Sequence, residues 1–336
     1  MFGRVVSLAA TLLALGIASN ARAEDFYQGK TLSIVVGYAA GGGYDTNARL
    51  LARHIGGHIP GNPAIVVVNM PGAGSLKSLQ YIQNTAPKDG TTLELFDFTQ
   101  ITNSLLTPKK VPIDFRRFKW VGSIAQDLAA CYVWHTVKAK TLAQVQALPV
   151  VEMGRTNPGS SSDIEQKIFR KLFNVRVHSV AGYKGSSEAF LAVERGELNG
   201  GCITWASIPA KWVTDKLITP VLRLSNATAP GLPASVPSAY DVAANDRDRK
   251  IMRVLLASGE VGKPFVFALG VPDDRVATMR TAFAATVKDP KFLADAEKLR
   301  QPVTPTLGDE AEKIVNEVYA TPADIVQAAR AVASDD

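Results

Sequence analysis

Apolar and polar positions along the chain follow one repeating order. A short apolar run comes first, then a turn rich in glycine or serine, then a stripe of apolar residues at helical spacing. Residues 32–36 read as a buried strand, and the loop 37–43 follows it. Residues 44–55 read as a helix, because Ala48, Leu51, Ala52 and Ile55 fall on one face and Gly56-Gly57 ends it. Residues 65–68 repeat the strand and 69–75 the loop, and Leu76, Leu79 and Ile82 mark the next helix. A third strand is expected at 93–96, after the turn Ala86-Pro87-Lys88-Asp89-Gly90. A second block spans 121–224. It has strands at 150–153, 175–180 and 198–205, loops at 154–162 and 182–187, and helices that carry Ile164, Ile168 and Leu172 and run through Arg195. Residues 225–238 read as surface loop. The C-terminal third reads as helices, one of which starts near Val271-Pro272-Asp273-Asp274.

Alternation of this kind predicts an α/β fold of mostly parallel sheets covered by helices on both faces. At 336 residues the chain exceeds what one core usually supports, so two lobes are expected. They are placed at 24–122 together with 225–336, and at 123–224.

The first 23 residues stand outside this pattern. Arg4 precedes a nearly unbroken apolar run, 5–18, and Ala21-Arg22-Ala23 fits a signal-peptidase site. The run is too short to span a bilayer, so it reads as a secretory signal cleaved after Ala23. A soluble mature protein outside the cytoplasm is the consequence. The charge balance is mild, with 37 Lys+Arg against 31 Asp+Glu. It would help attract small anions, and no basic run points to nucleic acid. Two cysteines, Cys131 and Cys202, both lie in strand-like runs. A disulfide and two buried free thiols are both open to them.

Four of the loops between strands and helices carry the candidate chemistry: two glycine-rich, at 41–43 and 72–74, and two rich in serine, at 154–162 and 182–187. Loops of this class sit where open α/β sheets bind ligands, and helix N-termini there suit an anion. Enzyme signatures are missing. Neither glycine loop completes a dinucleotide fingerprint, and there is no phosphate loop or nucleophile elbow. His54 and His58 are four apart but separated by two glycines, which favours solvated helix-end histidines over a metal site. Asp45 reads first as a helix cap. No cofactor and no metal are expected.

These loops also carry a family likeness. Gly41-Gly42-Gly43-Tyr44-Asp45, Val68-Asn69-Met70-Pro71-Gly72-Ala73-Gly74, Ala86-Pro87-Lys88-Asp89-Gly90, Tyr183-Lys184-Gly185, Gly196-Glu197-Leu198 and Gly270-Val271-Pro272 occur in the order and spacing of one family. The chain resembles the substrate-binding proteins of tripartite tricarboxylate transporters, the Bug receptors, over about 26–305. The resemblance implies a type II-like, two-lobe periplasmic-binding-protein fold that closes on a small carboxylate. It implies a periplasmic monomer whose partners are integral membrane transporter subunits. Backbone N–H groups of Ala40, Gly41, Ala73 and Gly74 would hold the carboxylate, with Gly72 and Asp45 in the same loops. The second lobe would add Thr156, Ser160, Ser161, Tyr183, Thr204 and Trp205. Ser160, Ser161 and Thr204 would act as neutral donors, and Tyr38 and Trp205 would shape the cavity. The chain departs from the family at 37–40, which lacks the usual prolines, at Tyr44, at Met70, and near 203–205, where an acidic or amide side chain is more usual. It therefore reads as a divergent member. Two other functions fit the same fold: a receptor that presents its ligand to a sensor protein, and a secreted enzyme for which Asp45 or Asp97 would be the acid or base.

Overall fold

The computed structural model describes residues 26–156, 158–183 and 185–334. The expected signal and its cleavage site lie outside the described residues. Strands β1 (Thr31–Val36), β2 (Ala64–Asn69), β3 (Thr92–Leu95) and β4 (Lys119–Ser123) are followed by β5 (Ala129–Trp134), β6 (Val151–Gly154), β7 (Val177–Val180), β8 (Gly200–Thr204) and β9 (Ile218–Arg223). Two late strands, β10 (Pro264–Phe267) and β11 (Thr306–Leu307), complete the set. Helices α1 (Gly43–Ile55), α2 (Leu76–Asn84) and α3 (Thr99–Leu106) belong to the first block. Helices α4 (Leu142–Gln146), α5 (Ser161–Lys171), α6 (Ser186–Glu194) and α7 (Ala210–Thr214) belong to the second. The C-terminal helices are α8 (Asp246–Val261), α9 (Asp273–Thr286), α10 (Pro290–Lys298), α11 (Gly308–Tyr319) and α12 (Ala323–Ala333).

Two sheets organise these elements. The first has the order β11-β4-β10-β3-β1-β2 and the second β7-β6-β8-β5-β9. Both are mixed, which corrects the expectation of mostly parallel sheets. β1 pairs in parallel with β2 and β3, whereas β10 is antiparallel to β3 and β4. β5 is antiparallel to both β8 and β9. The reason is that the chain crosses between sheets. β10 returns from the far side after α8 and enters the first sheet in reverse, a strand the expectation of a purely helical C-terminal third overlooked.

Burial explains the apolar runs. Leu32, Ile34, Val35 and Val36 of β1 are all buried, because helices cover both faces. On one face β1 packs with Leu51 of α1, Phe283 of α9 and Phe292 of α10. On the other face of the sheet, Phe96, Trp120 and Val266 pack against α2 and α11 through Leu79 and Val315. β5 splits its alternate residues between two cores. Cys131 and Val133 face α5 and α8, while Tyr132 and Trp134 face α6 and α7. α8 joins the sheets, with Leu255 in the second sheet's core and Val261 in the first's. His54 and His58 pair with Asp295 and Asp289 at 3.0 Å each, tying the end of α1 to the α10 region.

The link 124–128 carries the chain from β4 to β5. It is pinned on two sides. Asp127 N–H donates to Gly259 O at 2.8 Å, and Thr304 N–H donates to Ile124 O at 3.0 Å. Gly262 has φ +71, and a Cβ there would run into the Ala125 carbonyl, so only glycine lets the chain turn here toward Lys263.

Cys131 and Cys202 form a disulfide between directly opposed residues of β5 and β8. Their separation of 71 residues implies roughly 4 kcal/mol of stabilisation on the loop-closure model. Replacing both by serine is expected to lower the urea midpoint and to steepen the slope, because the unfolded chain loses its cross-link and exposes more surface. An unaltered midpoint would show that the bridge adds no net stability.

Candidate functional site

A cavity of about 720 Å³ lies at the ends of the two sheets. Its walls come from both blocks. The loop 38–43 and Tyr44 lead into α1, Ser160–Ser162 open α5, and Gly185–Ser187 open α6. The ends of β6 and β8 supply Gly154, Thr156 and Gly200 through Thr204. Among the described residues, three helix N-termini therefore meet one space. The first N–H groups of a helix have no partner within it, and the dipole end is positive, so the arrangement favours an anion.

The entrances to α1 and α5 are built alike. Gly41 N–H donates to Asp45 Oδ2 at 2.8 Å, and Gly159 N–H donates to Asp163 Oδ2 at 2.8 Å. Each acid is the third residue of its helix, and each is matched by a base four residues on: Arg49 at 2.9 Å from Asp45, and Lys167 at 2.8 Å from Asp163. The aspartates fold the preceding loop back and leave the residues at the helix starts to face the cavity.

Four charged side chains line the cavity among the described residues: Asp97, Asp127, Arg155 and Lys263. Lys263 Nζ is 2.9 Å from Asp127 Oδ2, and Arg155 Nη1 is 2.7 Å from Asp163 Oδ1. Asp97 receives the Tyr38 hydroxyl at 2.5 Å and both the N–H and hydroxyl of Thr99, at 2.9 and 2.7 Å. Burial raises its pKa, and these donors work against the rise. Tyr38 and Tyr44 stack with ring centroids 4.7 Å apart, and burial beside Asp97 raises both phenols. A small recess continues from the cavity at Phe98, Asp127 and Ser161 and is lined further by Glu165. Burial, with the Asp127 charge, raises the Glu165 carboxyl to about 8.

The expected site residues divide. Tyr38, Ala40, Gly41, Thr156, Ser160, Ser161 and Thr204 line the cavity. Asp45, Gly72, Ala73, Gly74, Tyr183 and Trp205 are not among its lining residues. Asp45 is buried behind the loop and also receives Asn69 Nδ2 at 2.9 Å, so it caps. The N–H of Gly41, expected as a ligand donor, is taken by that cap. Residues 72–74 form an exposed loop, with Gly74 O accepting from Gln100 Nε2 at 2.7 Å. Tyr183 packs with Leu198 and Ala189. Trp205 ends β8 in a tight turn, donates Nε1–H to Pro230 O at 3.1 Å, and faces a separate cavity of about 300 Å³. Sequence reasoning missed Asp127, Arg155 and Lys263, and Asp97 entered only as a possible acid. No local motif marks them, because each is the lone charged residue of its loop.

No family model matches the chain. Two curated relatives do. A UPF0065 protein of the TAR-I ttuE-ttuC′ intergenic region of Agrobacterium vitis is 26% identical over 187 residues, 54% of this chain and 53% of that protein. A UPF0065 protein of the gbd 5′ region of Cupriavidus necator is 43% identical over 89 residues, 26% of each. The chain thus spans about half the length, or less, of the curated relatives it matches. Among solved structures, a TctC solute-binding protein from Polaromonas superposes with TM-score 0.70 at 18% identity, covering 90% of this chain and 99% of that one. The periplasmic binding protein BugD has TM-score 0.65 at 18% identity, covering 91% and 98%. MatC of Rhodopseudomonas palustris, solved with bound malate, has TM-score 0.65 at 18% identity, covering 91% and 99%.

The fold is that of the Bug receptors. The likeness read from the sequence holds in both comparisons, and the TctC and BugD structures are named as binding proteins. Among the described residues, no helix is long and apolar enough to cross a membrane.

The Asp45 cap makes a testable demand. Burial works against its charge, but hydrogen bonds from Arg49, Gly41 and Asn69 outweigh it, and its pKa falls from an ordinary 3.8 to about 2. A carboxyl depressed in the folded state contributes stability that is present above the ordinary value and lost as pH falls through the folded one. Asp45→Asn is therefore expected to flatten the acid side of the stability curve between about pH 4 and 2. An unchanged acid slope in urea titrations would refute the cap's role.

Proposed function

We propose that this chain is a periplasmic solute receptor. It captures a small organic carboxylate between two lobes, 24–122 with 225–336 and 123–224, and delivers it to a tripartite tricarboxylate-type membrane transporter. The signal is cleaved after Ala23. The observation that carries the reading is the convergence of the α1, α5 and α6 N-termini on one cavity. Ala40, Thr156, Ser160, Ser161 and Thr204 are the donors within reach, and Tyr38 shapes the space.

Magnitudes support several donors acting together. A micromolar ligand requires about 8 kcal/mol. One helix terminus contributes roughly 0.3–1 kcal/mol, up to ~2 when partly buried. Each hydrogen bond to a charged group adds about 1.5–3 kcal/mol. Two or three termini that exclude water as the lobes close reach the requirement. Closure about a hinge is a known motion for proteins of this shape, and no bond-making step is needed.

Thermal unfolding of ligand-stripped protein against small carboxylates, neutral sugars and amines tests the reading. A carboxylate at 100 times its dissociation constant is expected to stabilise by about 2.7 kcal/mol. Stabilisation by sugars or simple amines alone would overturn it. Delivery is tested by uptake of the identified acid into cells with and without the receptor; equal uptake in both would remove the transport role.

A further inference from the structure

We propose that the cavity selects monocarboxylates that carry an apolar body, an alkyl chain or an aromatic ring, over dicarboxylates, and that the wall formed by β5, β8 and α6 takes up that body. This inference rests on the carboxylate-receptor reading above and names its ligand class.

The lining of the cavity is divided by element. Among the described residues, its charged side chains are Asp97, Asp127, Arg155 and Lys263, which stand on the loops after β3, β4 and β6 and just before β10. None of them belongs to β5, β8 or α6. Those elements, with the turn between α6 and β8, contribute Tyr132, Phe190, Val193, Leu198 and Ile203. α6 changes character along its length. Ser186 and Ser187 open it beside the other helix starts, and Phe190 and Val193 follow one and two turns later. A carboxylate at the helix N-termini would therefore direct the rest of its molecule along an apolar surface.

That surface is the cavity side of one core. Tyr132, Val193 and Leu198 are buried in it, while Phe190 and Ile203 pack on it only half-buried. An apolar group laid against them would complete their removal from water. The two rings are held from behind. Tyr132 and Phe190 both meet the Trp212 ring edge-on, with centroids 6.1 and 5.0 Å away, and Trp212 Nε1–H donates to Glu194 Oε1 at 2.8 Å. Gly201 stands opposite Tyr132 in the ladder, and a Cβ there would fall 2.9 Å from the phenol oxygen, so the glycine lets the ring lie along the sheet. Burial is what raises the Tyr132 phenol, whereas Tyr38 and Tyr44 also feel the Asp97 charge. A second carboxylate directed at this wall would lose its water and meet no cation there, which is costly. Directed elsewhere, it finds the bases of the lining engaged, Lys263 with Asp127 at 2.9 Å and Arg155 with Asp163 at 2.7 Å.

Calorimetric titration of the ligand-stripped full chain tests this. The probes are matched pairs that differ at one end only, pentanoate against glutarate and hexanoate against adipate, with phenylacetate as a ring-bearing acid. The best monocarboxylate is expected to bind at least about tenfold more tightly than the dicarboxylates, because an ionised group is harder to bury than a methyl. Phe190→Ala is expected to weaken that monocarboxylate about fivefold through lost apolar contact and to leave the dicarboxylates within about twofold. Phe190→Lys places an ammonium on the half-buried wall and is expected to narrow or reverse the ratio. Equal or tighter binding of dicarboxylates by the unaltered chain overturns the inference whether or not the variants fold, and so does an unchanged ratio in the folded variants; both leave the carboxylate receptor intact. Failure of every acid in the series overturns both readings.

Discussion

The short link between the two sheets is the constraint on which the site depends. Residues 124–128 are gripped by Gly259 on one side and Thr304 on the other. The Lys263–Asp127 pair then crosses the same junction as a side-chain contact. Because Asp127 sits in the link and Lys263 just precedes β10, the charge of the cavity wall and the placement of the sheets are set by the same few residues. Gly262 makes the crossing possible, since any side chain there would displace the Ala125 carbonyl. A mutation at this junction would disturb geometry and electrostatics together.

The remaining architecture is repetition of one device. A buried strand ends, a glycine or serine turn follows, and a helix begins with its N–H groups toward the cavity. At α1 and α5 an aspartate at the third helical residue closes the turn on the preceding glycine. That acid would oppose an anion nearby, but Arg49 and Lys167 neutralise it one turn later. The backbone donors keep their attraction while the loops gain rigidity.

Much of this was legible in the sequence. Strands β1, β2 and β3 and helices α1, α2 and α5 follow from apolar spacing, because that spacing is what the cores of both sheets require. The candidate loops at 38–43, 154–162 and 182–187 were legible for a related reason: turns that open helices at sheet ends have little freedom of composition. What was not legible depends on how distant segments meet. The loop 72–74 is glycine-rich like 41–43, yet it lies outside the cavity. Trp205 follows Thr204 directly, but it begins a tight turn and lines only the separate smaller cavity. Lys263 and Asp127 are 136 positions apart, and nothing near either one announces the other. β10 was hidden because it is only four residues long and just Gly262 and Lys263 separate it from α8.

The covalent bond between Cys131 and Cys202 has a meaning beyond resistance to unfolding. The two residues are exact partners in the β5–β8 ladder, and β8 supplies the cavity from Gly200 to Thr204. Side chains along a strand alternate faces, so a slip of one residue would exchange the surfaces that Ile203 and Thr204 present. The bridge forbids that slip. The floor of the cavity is thereby held to a single register, and adaptation to ligands of different length falls to the loops above it.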